Sequence, residues 1–252
     1  MEVKNVEFAY DCEKVLKGIS FKVESEKITT IIGANGCGKS TLFNVMTKNL
    51  KPQRGSVTLN GESIEKIPIK KFARLVSIVH QYNTAPSDIS VEVLVGYGRL
   101  AYKKAFKNDK YENEKYVTRA LEATGITNIR KKKISELSGG QRQRVWIAMA
   151  LAQNTKVLFL DEPTTYLDIK YQIEILRLIK KLNEEYKITI VMVLHDINQA
   201  VYYSDNIIAM KDGEIIGQGK AKEIITGELI YETYGVRLDV EEIGNKKFVI
   251  TV

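Results

Sequence analysis

The sequence of 252 residues contains no apolar run close to the roughly 18 to 20 residues that a membrane-spanning helix needs. Its first four residues, Met-Glu-Val-Lys, also lack the apolar core of a secretory signal peptide. Only two cysteines are present, Cys12 and Cys37, which are too few for a disulfide framework and have no metal-binding spacing. We therefore expect a soluble chain that stays in the cytoplasm.

Acidic residues are the scarcer charged class, because 31 Asp and Glu accompany 38 Lys and Arg and leave a net charge of +7. Such a charge is compatible with nucleic acid, an anionic membrane surface or no specific partner. The basic clusters are residues 130–133 and the group Lys103, Lys104 and Lys107, and a charge run is most often a solvated face. Because no aromatic stacking platform is interleaved with them, we expect no nucleic-acid partner.

The segment from Gly33 to Thr41 follows the apolar run 28–32 and fits the pattern G-x-x-x-x-G-K-[ST]. Glycines let backbone N–H groups turn inward around an anion, and Lys39 adds a point charge for the β- and γ-phosphates. Ser40 offers a hydroxyl to Mg²⁺, and the next helix points its positive dipole end at the phosphates. The segment predicts a loop that binds a nucleoside triphosphate with magnesium, and an ordinary glycine-rich turn is the alternative. The candidate nucleotide-binding residues are Gly33, Asn35, Gly36, Cys37, Gly38, Lys39, Ser40 and Thr41.

A second candidate anion site lies at the start of another predicted helix. Ser138 is a good N-cap, and Gly139 and Gly140 leave the backbone N–H groups next to Gln141 uncovered. Apolar residues then recur with helical periodicity over 145–152. The pattern predicts a helix that is ready to bind an anion, and a capped helix without a ligand is the alternative.

Residues 137–141, Leu-Ser-Gly-Gly-Gln, resemble the signature motif of the ATP-binding-cassette (ABC) ATPases. In that family, the signature of one subunit closes over the γ-phosphate held by the phosphate-binding loop of the other. The resemblance implies a head-to-tail homodimer that holds two ATP molecules, with Ser138, Gly139, Gly140 and Gln141 contacting nucleotide.

The apolar run 156–160 ends in two carboxylates, Asp161 and Glu162, as a buried parallel strand does where it opens on a ligand crevice. Asp161 resembles the Walker B aspartate, which binds Mg²⁺ through water, and Glu162 stands where the family keeps its general base. Because side chains alternate along a strand, the two acids point the same way only if the strand has already ended. Pro163 favours such an end, and a solvated loop is the alternative.

Two polar residues at predicted strand ends match further family motifs. His195 follows the apolar run 188–194 and resembles the switch histidine that contacts the γ-phosphate and orders the attacking water, although a lone histidine there is often an ordinary surface residue. Gln81 resembles the Q-loop glutamine, which touches Mg²⁺ and links the core to a helical subdomain. Many members have proline before this glutamine, whereas this chain has His80. The resemblance gives catalytic roles to Glu162, His195 and Gln81.

Tyr10 and Asp168 complete the set of candidate site residues. Tyr10 occupies the position whose aromatic ring stacks on adenine in the family, and a tyrosine that simply ends the first strand is the alternative. Asp168 matches the D-loop aspartate and is expected to bridge the dimer seam. The metal ligands that the resemblance implies are Ser40, Gln81 and Asp161.

We expect an α/β fold with a P-loop NTPase core, an N-terminal antiparallel β subdomain up to residue 32, and an inserted helical subdomain over about 82–153. Residues 207–216 predict a hairpin that turns at 211–214. Because the motifs span nearly the whole length, residues 1–252 are expected to form a single ABC ATPase domain.

Two classes of function agree with the family resemblance. The chain is either the ATPase subunit of a membrane transporter or a soluble ABC ATPase that acts on translation or DNA-repair complexes. Soluble members usually carry two cassettes in one chain or long coiled-coil insertions, and this sequence has neither. The transporter class is therefore favoured.

Segments 84–86, 91–99 and 164–168 look like those of importers for iron-siderophores, haem and cobalamin. This likeness implies ATP and Mg²⁺ as ligands, integral-membrane permease subunits as partners and, indirectly, a substrate-binding protein. It implies a peripheral location on the inner face of the cell membrane, where the basic clusters are attracted to acidic headgroups.

Overall fold

A computed structural model describes residues 1–102, 110–244 and 246–251 of the protein. The chain divides into two compact units, one formed by Met1–Ile67 with Thr189–Val252 and the other by Pro68–Ile188. Among the described residues, no helix combines the length and the apolarity that crossing a membrane requires. Lys103, Lys104 and Lys107 of the predicted basic cluster lie outside the described residues.

The first part of the chain supplies an antiparallel sheet and the start of a parallel one. Its elements are β1 (Glu2–Tyr10), β2 (Glu13–Lys22), β3 (Ile28–Gly33), α1 (Lys39–Met46), β4 (Arg54–Leu59) and β5 (Glu62–Ser63). The antiparallel strands follow the order β2-β1-β4-β5. The antiparallel sheet therefore includes β4 and β5, which follow α1 in the chain. Both strands lie beyond residue 32, where the predicted N-terminal β subdomain ends.

The middle of the chain is mostly helical. Its elements are α2 (Ile69–Phe72), β6 (Val76–Val79), α3 (Val91–Gly96), α4 (Lys110–Ala123), α5 (Gly139–Ala152), β7 (Val157–Asp161) and α6 (Ile169–Tyr186), with 3₁₀ turns at Tyr97–Tyr102, Thr127–Ile129 and Ile134–Glu136. β6 and β7 pair in parallel, with Val76 opposite Val157 and Val79 opposite Leu160. Three of the helices, α3 to α5, fall within the region 82–153 where the sequence predicts them.

The last part of the chain returns to the first unit. Its elements are β8 (Thr189–Val193), α7 (Ile197–Tyr203), β9 (Asn206–Lys211), β10 (Glu214–Lys220), α8 (Ala221–Ile224), α9 (Gly227–Tyr234), β11 (Asp239–Ile243) and β12 (Lys246–Ile250). β9 and β10 form the predicted hairpin, which turns at Asp212 and Gly213, both in the left-handed region. β11 and β12 form a separate antiparallel pair.

β3 is the central strand of the parallel part of the first unit. It pairs in parallel with β8 on one side and β9 on the other, and β3 and β8 are buried along their whole length. Strands covered on both faces are rich in apolar residues, and here only threonines interrupt the apolar runs of β3 and β8. Because Ile31 lies opposite Val193, the carboxyl ends of β3 and β8 meet at one edge. The combination of parallel strands, covering helices and an antiparallel sheet confirms the predicted α/β class.

Candidate nucleotide-binding and catalytic residues

The phosphate-binding loop, residues 33–41, joins β3 to α1 as the sequence predicts. Gly38 caps α1 with φ +103, a left-handed conformation that strains residues with a side chain. A Cβ on Gly33 would come within 2.4 Å of the Met210 carbonyl oxygen and 2.6 Å of Cys37 Sγ, so only glycine fits there. The first helical hydrogen bond of α1 runs from Leu42 N to Gly38 O, and the N–H groups before it therefore face the loop.

Lys39 lies folded over the same loop. Its ammonium donates to the carbonyl oxygens of Gly33 and Ala34, each at 2.8 Å, and the residue is only 5% exposed. Cys37 is buried beside it, and this burial raises the pKa of the thiol although the charge of Lys39 acts in the opposite direction. An ammonium at the N-terminus of a helix forms a cationic cradle that suits the phosphates of a nucleotide.

His195 and Tyr10 also belong to the first unit. His195 is exposed just beyond β8, and because β3 and β8 are parallel neighbours it lies at the edge of the sheet where the phosphate-binding loop begins. Asp196 accepts a hydrogen bond from Gln199 N at 2.8 Å and thereby caps α7. Tyr10 ends β1 and is 48% exposed, and its ring meets that of Phe8 edge to face, with 4.9 Å between the ring centroids. The residue is therefore accessible to solvent at the end of β1.

In the second unit, Gln81 and Glu162 meet at the carboxyl ends of β6 and β7. Gln81 Nε2 donates to Glu162 Oε2 at 2.6 Å, and the Thr165 hydroxyl donates to the same oxygen at 3.0 Å. Glu162 has φ +47, so the extended strand stops at Asp161, which confirms the predicted strand end. The glutamate carboxylate is therefore held in one orientation by two donors from different segments.

Magnesium is the implied metal, and its fit is tested by the chemistry of the predicted ligands. The Ser40 hydroxyl, the Asp161 carboxylate and the Gln81 amide oxygen are hard oxygen donors of the kind that Mg²⁺ prefers. Within the described ranges, no group of three or more His, Cys, Asp or Glu side chains could hold a metal ion by itself. The three donor types therefore fit the chemistry of Mg²⁺.

The signature segment starts α5 with a reciprocal cap. Gln141 N donates to Ser138 Oγ at 3.3 Å, and Ser138 N donates to Gln141 Oε1 at 3.1 Å. Packing also requires glycine at position 140, because a Cβ there would lie 2.7 Å from the ring of Tyr171 on α6. The sequence alone does not show this requirement. Gly139 is exposed. The segment is therefore a pre-ordered helix start packed against α6.

Asp168 precedes α6 and is exposed, and its side chain makes no capping hydrogen bond to that helix. Two contacts near the candidate residues were not predicted from the sequence. Tyr166 and Tyr82 share a hydrogen bond of 2.8 Å between their hydroxyls, and Thr165 contacts Glu162. The sequence signal for these contacts is one of position, because Tyr82 follows Gln81 and both Thr165 and Tyr166 belong to the D-loop segment that ends in Asp168.

The basic cluster at residues 130–133 is partly neutralised. Arg130 Nε lies 2.8 Å from Glu92 Oε2, and its Nη2 lies 2.7 Å from Glu114 Oε1. The carboxylates of Glu114 and Glu92 raise the pKa of Arg130. The positive charge available at this cluster is therefore smaller than the sequence suggests.

Comparison with known proteins agrees with these features. A family model described as ABC transporter matches residues 16–165. The ferric enterobactin transport ATP-binding protein FepC of Escherichia coli is 45% identical over 223 residues, which cover 88% of this chain and 82% of that protein. The iron(3+)-hydroxamate import ATP-binding protein FhuC of Bacillus subtilis is 40% identical over 240 residues, covering 95% and 89%.

The fold is also similar to that of a solved ATP-binding cassette. The ATP-binding cassette MJ0796, determined as a dimer in a post-hydrolysis state with ADP and Pi, matches with a TM-score of 0.74 and 30% identity. The match covers 87% of this chain and 98% of that one. The chain therefore belongs to the ABC transporter family, as one of its ATP-binding ATPase subunits.

Proposed function

We propose that this chain powers an importer that carries an iron-siderophore, or a similar haem or cobalamin-type cargo, through separate permease subunits. The observation that carries the proposal is its similarity over most of its length to FepC and FhuC, whose names specify ferric enterobactin and iron(3+)-hydroxamate. A substrate-binding protein delivers the cargo to the permease and does not contact this chain.

ATP binds at the phosphate-binding loop. Lys39 exchanges its two carbonyl acceptors for β- and γ-phosphate oxygens, because a charged acceptor makes the stronger hydrogen bond. The ring of Tyr10 stacks on adenine. The Ser40 hydroxyl, the Asp161 carboxylate and the Gln81 amide oxygen would supply oxygen ligands to Mg²⁺, which would neutralise charge on the phosphates when bound.

Glu162 accepts the proton of the water that attacks the γ-phosphorus, and the bond to ADP breaks. The hydrogen bonds from Gln81 and Thr165 orient the carboxylate before water arrives. His195 holds the γ-phosphate and the water in line. A positioned base of this kind contributes about 10²–10⁴ in rate.

Two copies form the complete unit, each offering its signature to the nucleotide of the other. Ser138 and the N–H groups of Gly139 and Gly140 approach the γ-phosphate of the partner site, and Asp168 lies at the seam. The MJ0796 structure, which is dimeric and bound to ADP and Pi, supports a unit of two copies. The reciprocal cap of Ser138 and Gln141 orders the segment in advance, which lowers the entropy cost of closure.

The permease docks on an apolar surface of the second unit. Val93 on α3 and Tyr97 and Leu100 on the turn that follows are between 45% and 51% exposed, which is unusual for large apolar side chains so close in sequence. Docking there places the chain on the inner face of the membrane. Joining two copies on one permease pair raises their effective concentration to about the millimolar range.

The test reconstitutes the chain with its permease in proteoliposomes that contain ATP, and it measures ATPase rate and uptake of a ferric siderophore. The permease should stimulate hydrolysis several-fold, and Glu162→Gln should abolish both uptake and hydrolysis. A Leu100→Asp variant should lose stimulation and keep basal ATPase activity. Stimulation by DNA or ribosomes in place of the permease would instead favour the translation or DNA-repair class.

A further inference from the structure

A cavity of about 190 Å³ lies within the unit Pro68–Ile188, at the edge of the sheet where β6 and β7 begin. Ser77 near the start of β6 and Thr155 just before β7 line it, together with residues of α4, α5 and the end of α6. Gln81 and Glu162 follow the opposite ends of the same two strands. The cavity is therefore separate from the candidate catalytic residues.

The lining combines an apolar floor with aromatic walls and a basic mouth. Tyr116 and Tyr186 supply two phenol rings, and Arg119 and Lys156 are exposed at the rim. Arg119 is held there with its guanidinium 5.0 Å from the centre of the Tyr186 ring. All charged side chains among the described lining residues are basic. The apolar floor is formed by Ala120, Ala123, Ala150, Leu151, Leu158 and Ile188.

A third cation is buried behind one of these walls. Arg99 is only 4% exposed, and its guanidinium lies between the rings of Tyr102 and Tyr116, at 3.9 Å from each. Its N–H groups donate to two neutral acceptors, Asn113 Oδ1 at 3.1 Å and the Ala152 carbonyl oxygen at 2.8 Å. The charge of Arg99 is therefore solvated by dipoles and ring faces and not by a carboxylate.

No carboxylate within residues 1–102, 110–244 and 246–251 forms an ion pair with Arg99, Arg119 or Lys156. A buried cation without a counter-charge loses its hydration without full compensation. An anion at the mouth of this cavity would interact favourably with Arg119 and Lys156, and the buried charge of Arg99 behind the Tyr116 ring has the same sign.

We propose that this cavity binds a small organic anion that carries a single aromatic ring. Its volume somewhat exceeds the roughly 150 Å³ that holds a benzene molecule, and it is below the ~300–1,000 Å³ of pockets for larger ligands. The ring packs between Tyr116, Tyr186 and the apolar floor, and the acid group lies between Arg119 and Lys156. None of these residues is a candidate nucleotide-binding residue, so the inference does not depend on the proposed function.

Methyl NMR of the full chain tests the proposal. Benzoate and phenyl phosphate are the probes, benzyl alcohol is the neutral control, and acetate is the control without a ring. We expect saturable shifts of the Leu158, Ala120 and Ile188 methyl groups at low millimolar probe, and affinities at least about tenfold weaker for both controls. The stronger of the two probes tells whether the acid group is a carboxylate or a phosphate. Equal binding of benzyl alcohol, or no saturable shift with either probe, would overturn the proposal.

Variants that lack the positive charges at the cavity mouth provide a second test of the proposal. The double variant Arg119→Gln with Lys156→Gln should bind the preferred probe at least about tenfold more weakly, because both mouth charges are lost. Arg177→Gln removes an exposed charge on α6 outside the cavity and should leave binding unchanged. All variants should retain wild-type ATPase activity, which shows that they are folded. An undiminished affinity in the double variant, or the same loss in Arg177→Gln, would count against the site.

Discussion

The side-chain amide of Gln81 donates to the carboxylate of Glu162 across 2.6 Å, although the two residues are 81 positions apart in the chain. The contact joins the end of β6 to the end of β7, and it fixes the orientation of the proposed general base from a segment that leads into α3, α4 and α5. A movement of those helices that shifts Gln81 would therefore change the orientation of Glu162. This relationship offers a physical link between the proposed docking surface and the proposed general base.

Gln81→Ala should lower kcat for ATP hydrolysis much more than it changes KM, because it removes a donor that orients the base and leaves the phosphate-binding loop intact. Misplacement of a catalytic group by about 1 Å costs on the order of 10² in rate. Steady-state kinetics on the reconstituted complex measure kcat and KM separately. Gln218→Ala, an exposed glutamine on β10, is the control and should behave as wild type. An unchanged kcat with a raised KM would contradict the positioning role.

Glu162→Gln should reduce hydrolysis by about 10²–10⁴ while ATP binding is retained. Since ATP bound between two copies stabilises their association, the variant should accumulate as a dimer when ATP is present. Gel filtration with and without ATP gives the measurement. A variant that remains monomeric at saturating ATP would argue against the two-copy site.

Ser138→Arg should abolish ATPase activity and leave ATP binding to the isolated chain unchanged, because the proposed contact of Ser138 is with the nucleotide of the partner. Loss of the N-cap will also destabilise α5 by about 1 kcal/mol, so Ser138→Thr, which keeps a capping hydroxyl, separates the two effects. Ser135→Arg places the same charge at a nearby exposed position and should remain active. Weaker ATP binding in Ser138→Arg alone would place the signature next to its own nucleotide.

Gly140→Ala should destabilise the protein, because the added Cβ would lie 2.7 Å from the Tyr171 ring. Overpacking of this kind costs about 1–3 kcal/mol, of which the better helix propensity of alanine returns at most ~1 kcal/mol. Gly96→Ala is the matched control, because nothing lies within 4 Å of its added Cβ, and it should not lower stability. Thermal unfolding measures the stability of both variants. Equal unfolding midpoints for Gly140→Ala and Gly96→Ala would show that the Tyr171 ring moves to accommodate the added Cβ.

Partial burial of His80 lowers its pKa below the ordinary value of 6.5. The unfolded chain therefore binds a proton at this residue more readily than the folded chain does, and the free energy of unfolding falls as the pH drops below about 6.5. Urea unfolding at pH 7.5 and pH 5.5 should show a smaller difference for His80→Gln than for wild type. Parallel losses in the two proteins would exclude His80 as a source of the pH dependence.

Local patterns in the sequence were sufficient for the phosphate-binding loop, the strand end at Asp161 and the hairpin at 211–214, because each depends on a few adjacent residues. The catalytic and binding roles of the candidate residues remain predictions. The sequence could not show that Tyr171 requires glycine at position 140 or that Thr165 contacts Glu162. Such contacts depend on the direction of side chains after folding, which no spacing encodes.

The pairing of whole strands could not be predicted from local sequence patterns either. Strands β4 and β5 join the antiparallel sheet beside β1 although α1 intervenes, because the pairing is decided by which sheet edge is available. Arg99 ends the segment 91–99, and nothing in its sequence context indicates burial. In the fold it is buried between two tyrosine rings.

Glu162 and Tyr166 both have left-handed backbones, with φ of +47 and +63. For residues with side chains this conformation costs on the order of 1 kcal/mol each, so the turn that carries the proposed base stores strain. Selection of variants for thermal stability alone should therefore favour glycine or asparagine at these two positions. Replacing Glu162 would raise thermal stability but remove the proposed general base. Substitutions that stabilise the enzyme should therefore be made elsewhere in the chain.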